Sequence, residues 1–170
     1  MLNIMKKYQN AFSVSGFEII KNDLAPVCDE INIDAMGNVI ALKKGKDSSK
    51  KLMIAAHMDE IGFMVVNIED NGLIRVAPIG GINAIASSFH NVKFQNGTTG
   101  IIVIEDGTTA ANITANKLFV DIGADSAAKA KRKVKIGDVC AIAPMVKKLS
   151  ANRYTSKAFD DRICCTVAAC

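Results

Sequence analysis

Five side chains stand where they could do chemistry. His57, Asp59 and Glu60 sit in KLMIAAHMDEIGFMVVNI, residues 51–68, and the Asp160–Asp161 pair opens DDRICCTVAAC near the other end. The first group lies between two short apolar runs, 52–56 and 61–66, whose branched residues predict buried strands. Charge at the end of a buried strand is costly unless it is paired or bound to metal, and in open α/β sheets ligands collect at the carboxyl ends of strands. A neutral imidazole suits a borderline divalent ion, and a carboxylate two residues on can hold the other ring nitrogen. The competing reading is a simple His57–Asp59 pair in a turn, because H-x-D is too short a pattern to choose between them. Asp160 and Asp161 carry the same ambiguity. Anions at a helix start are stabilised by its free amides, whereas a functional carboxylate there could bridge two metals.

The elements that must position these groups are legible in outline. Residues 2–12 predict a helix with Leu2, Met5, Tyr8 and Phe12 near one face. Ser15 and Glu18 have capping-box spacing, so a second helix should follow, carrying Phe17, Ile20, Leu24 and Val27 inward and shortened or bent at Pro26. Residues 31–34 and 39–42 predict paired strands around a Met36-Gly37-Asn38 turn. From about residue 69 the character changes to short β-like runs at 73–77, 92–94, 100–104, 118–122 and 139–144, separated by glycine-bearing turns; Asn96-Gly97 is a hairpin signal, and residues 124–133 predict one helix capped by Asp125 or Ser126. This pattern predicts an α/β chain in which a β-barrel or sandwich domain, 69–153, is inserted between catalytic segments 1–68 and 154–170. The apolar run that reaches Cys170 has no cap and no polar exit, as expected of a chain that continues.

Composition narrows the function classes. The 170 residues are 49% hydrophobic and 22% charged, with a net charge of +4, as in an ordinary globular protein. The basic cluster Lys129, Lys131, Arg132, Lys133 and Lys135 has no interleaved aromatics, so it reads as a solvated face rather than a nucleic-acid patch. No apolar run reaches membrane-spanning length and the first residues lack a signal-peptide core, so no membrane partner and a cytoplasmic location are expected. Five cysteines without regular spacing predict reduced, mostly buried thiols.

The motifs occur in an order that resembles the M42 family of metal-dependent aminopeptidases, some of which carry an older endoglucanase label. The resemblance rests on SVSGFE at 13–18, DAMGNV at 34–39, AAHMDEIGFMV at 55–65, PIGGI at 78–82, KLFVDIGADS at 117–126, IGD at 136–138 and SKAFDDR at 156–162. It implies a zinc-peptidase-like α/β catalytic domain interrupted by a β-rich domain that helps assemble dimers and larger particles. It also implies two divalent ions, zinc or cobalt, and short peptides as substrates. His57 would be a ligand of one metal, Asp59 would orient that histidine, Asp160 would bridge both metals, and Asp161 would hold the adjacent peptide geometry. Glu60 belongs to the motif without being the general base. The family's general-base glutamate, further carboxylate ligands and second histidine lie beyond the D-D-R motif, in chains roughly twice this length. The only other histidine here is His90, in the β-rich region. Cys164 stands where the family has glycine, and EDGTTAANITAN at 105–116 is unlike the usual insert.

Three functions compete on this footing. The first is the N-terminal part of a dinuclear-metal aminopeptidase, inactive as 170 residues alone. The second is a catalytically inactive scaffold or assembly module. The third, more distant, is a glycan-active hydrolase, which a chain with no Trp and two Tyr supplies poorly with aromatic platforms. Exposed strand edges would make the bare chain self-associate.

Overall fold

The computed structural model describes residues 1–12, 17–47 and 49–170, the side chains of Phe17 and Glu18 excepted. The chain divides into two units, one discontinuous (Met1–Asp59 with Pro144–Cys170) and one continuous (Glu60–Ala143).

The continuous unit is a closed six-stranded barrel. Its staves are β3 (Gly62–Ile68), β4 (Ile74–Ile79), β5 (Asn91–Phe94), β6 (Thr99–Ile104), β7 (Leu118–Asp121) and β8 (Val139–Ile142), in the order β3-β4-β7-β6-β5-β8. All neighbours are antiparallel, and β8 closes on β3 through Phe63 opposite Cys140. Alternating side chains point inward, so Phe63, Val65, Ile74, Val76, Val92, Phe94, Ile102, Leu118 and Val120 are buried in one core. Each fully buried large apolar side chain contributes about 1.5–3 kcal/mol, and full closure leaves no open sheet edge. Asn96-Gly97 forms the expected β5–β6 hairpin, with Gly97 at φ 91° and its N–H donating to Phe94 O at 3.0 Å. Gly100 is required by packing, because a Cβ there would lie 2.7 Å from both Asp121 O and Val120 Cγ1.

Two expectations about this region change. The run 61–68 is a barrel stave, not a catalytic-domain strand beside 52–56: its N–H and C=O groups pair with β4 and β8. The unit therefore begins at Glu60 and ends at Ala143 rather than at 69 and 153. The helix expected over 124–133 shrinks to α4 (Ala127–Ala130), and Ser126 at its start makes no side-chain cap bond. The capped helix in the barrel is instead α3 (Ala84–Ser87), where Asn83 Oδ1 accepts from Ala86 N–H at 3.0 Å.

In the discontinuous unit, α1 (Leu2–Asn10) buries Met5, Tyr8 and Gln9, while Leu2 faces solvent. The helix α2 (Phe17–Leu24) stops before Pro26, which leaves Val27 exposed instead of inward. The capping box expected of Ser15 and Glu18 lies outside the described residues. The strands β1 (Glu30–Ile33) and β2 (Val39–Leu42) pair antiparallel around a turn in which Asp34 Oδ1 accepts from Met36 N–H and Asn38 N–H, both at 2.9 Å. A second hairpin joins β9 (Val146–Ser150) to β10 (Arg153–Ser156), and α5 (Phe159–Ala168) packs against α1. Tyr8, Ala11, Met58 and Cys165 form the small core.

Residues 52–56 differ most from expectation. They pair with no strand among the described residues, and Leu52, Met53 and Ile54 are 88%, 87% and 67% exposed. A strand is defined by its neighbours' hydrogen bonds, and none is supplied to this one. The thiols also differ: all five cysteines are free, but only Cys140 and Cys165 are buried, and Cys164 and Cys170 are exposed. No helix among the described residues is long and apolar enough to cross a membrane.

Candidate metal centre

Residues 57–59 and the start of α5 meet inside the discontinuous unit, and Arg162 makes them meet. Its side chain is fully buried. Nε donates to Met58 O at 2.9 Å, and Nη1 donates to Tyr8 O at 2.9 Å and Ala11 O at 2.8 Å. One guanidinium therefore ties α5 to the end of α1 and to the residue after His57. The Cys165 thiol, one position further along α5, donates to His57 O at 3.2 Å. Burial, with the nearby Asp161 carboxylate adding to it, pushes the Cys165 thiol up to about 11, so it remains a donor.

The acidic pair precedes the regular turns of α5. Asp160 and Asp161 have non-helical backbone angles and a cis peptide bond between them. Asp161 Oδ2 accepts from the His57 backbone N–H at 3.1 Å. The Cys164 thiol donates to the same carboxylate, which together with the His57 amide holds Asp161 below the usual carboxylate range and raises Cys164 above the usual thiol range. Cys164 is exposed.

His57 faces two carboxylates with its two ring nitrogens. Nδ1 lies 3.3 Å from Asp59 Oδ1 and 3.2 Å from Asp59 O, while Nε2 lies 3.6 Å from Asp160 Oδ1. A proton on Nδ1, held by the Asp59 acceptors, leaves the Nε2 lone pair free for a metal. A separation of 3.6 Å is long for a hydrogen bond. It is close to the roughly 3.4 Å that separates two ligands on a tetrahedral ion with bonds of about 2.0–2.2 Å. The donor set and its geometry thus fit a divalent metal at Nε2 and Oδ1, with Asp59 behind the imidazole. The fit is partial. Among the described residues no group of three or more His, Cys, Asp or Glu is gathered to hold an ion, and the side chains of His57, Asp59 and Asp160 are 56%, 80% and 99% exposed. The other histidine, His90, is an exposed barrel residue whose Nδ1 lies 3.3 Å from Ser88 O.

The family model for M42 glutamyl aminopeptidases matches residues 37–170. The chain belongs to the M42 peptidase family. It is 40% identical over 174 residues to a protein of Acetivibrio thermocellus assigned to the aminopeptidases, covering 98% of this chain and 52% of that one. It is 35% identical over 178 residues to the lysyl aminopeptidase of Pyrococcus furiosus, covering 95% of this chain and 51% of the relative. Among solved structures, an aminopeptidase from the archaeon Desulfurococcus kamchatkensis superposes with a TM-score of 0.89 at 33% identity, covering 98% of this chain and 50% of that one. The chain spans about half the length of the curated relatives it matches.

Sequence reasoning singled out His57, Asp59, Asp160 and Asp161, and the structure brings all four together. It gave no role to Arg162. The available signal was a lone cation in the otherwise small and apolar run that follows the acidic pair, where a buried charge must find acceptors.

Proposed function

We propose that these 170 residues supply part of the catalytic unit of a metal-dependent aminopeptidase that removes N-terminal residues from short peptides. The observation that carries this reading is His57 Nε2 facing Asp160 Oδ1 at 3.6 Å, with Asp59 on the opposite ring nitrogen. His57 and Asp160 would hold divalent ions, zinc or cobalt, at Nε2 and the carboxylate. Asp59 holds the His57 tautomer, and Asp161 fixes the backbone at His57 by accepting its N–H. When bound, the paired ions lower the pKa of water and polarise a peptide carbonyl. This chain's residues hold and orient. The proton transfer to the leaving amine needs a general base, and that glutamate, with the further metal ligands, comes from residues outside these 170. The catalytic domain is accordingly incomplete within this stretch, and the exposed apolar run 52–56 is where the rest of its sheet packs.

The test is hydrolysis of aminoacyl anilides by the product of the whole gene. Turnover that is lost with a chelator, restored by zinc, cobalt or manganese, and abolished in His57→Ala is the expected result. Turnover that is indifferent to both chelator and His57→Ala would remove the proposal.

One observation favours a second reading for the 170 residues alone. Two exposed donors make a weak half-site, so by themselves these residues act as a non-catalytic module that self-associates. Peptidase turnover by the isolated 170-residue protein, lost in His57→Ala, would contradict it.

A further inference from the structure

The barrel unit carries eight Lys or Arg and eight Asp or Glu, so it is electrically balanced as a whole. The balance is uneven in space. Arg75 pairs with Glu69 and Glu105, Lys117 pairs with Glu105, and Lys129 pairs with Asp125. Lys131, Arg132, Lys133 and Lys135 have no ion pair among the described residues, and all four line one surface cavity of about 360 Å³. One acid, Asp138, shares that lining, and its Oδ2 already accepts from the Lys135 backbone N–H at 2.9 Å. The cavity therefore keeps a net excess of three positive charges over its lining residues.

Its walls are fixed at the backbone. Val134, between the cations, is buried in the barrel core. Asn96, at the β5–β6 hairpin, donates from Nδ2 to Lys133 O at 2.7 Å, while its Oδ1 accepts from Thr98 N–H at 2.9 Å. Asp138 N–H donates to Lys135 O at 3.1 Å, and Gly137 N–H to Val65 O at 2.9 Å. The segment is thus held on both sides of the cations, which lowers the ordering cost of binding. A volume of about 360 Å³ lies at the small end of ligand pockets. Phe94, the aromatic residue in the lining, is fully buried, so no ring face is available to stack a nucleobase.

We infer that this cavity binds a compact anion carrying several charges, of the di- or triphosphate class, through Lys131, Arg132, Lys133 and Lys135. All its lining residues belong to the continuous unit. The charges of the anion answer the cluster of cations, and its small volume and lack of a base match the cavity. Nucleic acid, which would need stacking faces or a longer basic track, is the disfavoured occupant.

The test is titration of the full chain with pyrophosphate and tripolyphosphate by calorimetry at low salt, with a single-stranded oligonucleotide titrated alongside. Two variants accompany it: the triple substitution Lys131→Gln/Arg132→Gln/Lys133→Gln, and a control, Lys6→Gln/Lys147→Gln/Lys148→Gln, which removes the same charge outside the cavity. All six side chains are exposed, and circular dichroism verifies that each variant is folded. The expected result is saturable tripolyphosphate binding that weakens at least tenfold in the cavity variant and less than twofold in the control. Absent binding, equal weakening in both variants, or tighter binding of the oligonucleotide would overturn the inference.

Discussion

Arg162 is the residue on which the local geometry depends most. Its guanidinium donates to three main-chain carbonyls in a buried setting, and truncation removes all three bonds, leaving Tyr8 O only its longer bond from Ala11 N–H at 3.2 Å. Arg162→Ala should destabilise the discontinuous unit by about 3–5 kcal/mol in urea unfolding, with Arg162→Lys recovering only part because ammonium cannot reproduce the planar fork. Metal binding at His57 should fall with it, since Met58 O and His57 O are both held from α5. The buried thiols define an alkaline limit. Burial pushes Cys165 up to about 11 and Cys140 up to about 12, both above their ordinary value of 9.0. A raised folded value means that their contribution is whole below pH 9 and is lost as the pH climbs through 11 to 12. The thermal midpoint should accordingly drop across that window, and Cys165→Ala should flatten part of the drop. Iodoacetamide should label Cys164 and Cys170 in the folded protein and reach Cys140 and Cys165 only after unfolding. Among the site residues, the histidine and carboxylates were visible as types and spacing. Their convergence came only through the family resemblance, because nothing in H-x-D or D-D-R says that residues about a hundred positions apart will meet.

At the scale of elements, the barrel strands were the most legible part of the chain. Alternating burial, as in β5, and turn chemistry at Asn96-Gly97 are local signals, and local signals survive folding. What was not legible was assignment to a unit. β3 and the 52–56 run are both short and mainly apolar, yet β3 finds partners in β4 and β8 while 52–56 finds none among the described residues. Composition reports what a segment would bury, not whether a neighbour is present to bury it. The helix expected over 124–133 failed for a related reason: its residues turn through α4 into the Lys135–Asp138 loop, whose bonds to Val65 bind it to the barrel. Gly100 gives a direct test of the β6–β7 contact. A methyl group 2.7 Å from Asp121 O cannot be absorbed by a flexible side chain. Gly100→Ala should lower barrel stability by about 1–3 kcal/mol, measured as a shift in denaturation midpoint, whereas no loss would mean that the two strands lie further apart than described.

At the scale of the whole molecule, the chain comprises a self-contained barrel and a second unit that carries an exposed apolar segment at 52–56. Residues 60–143 possess their own core and closed sheet, so that segment expressed alone should unfold cooperatively. The 170-residue protein should instead associate through Leu52, Met53 and Ile54, giving a mass by light scattering that rises with concentration and reverts toward monomer in Leu52→Lys/Met53→Lys. A concentration-independent monomer in the parent protein would contradict that role for the segment. Whether His57 and Asp160 hold metal for peptide hydrolysis is decided by metal-titrated turnover of an aminoacyl anilide by the whole-gene product beside its His57→Ala variant. The expected result is no turnover without metal, recovery on adding zinc or cobalt, and a loss of at least a thousandfold in His57→Ala, about 4 kcal/mol of transition-state stabilisation. Undiminished turnover in His57→Ala, or equal turnover with and without metal, would contradict it.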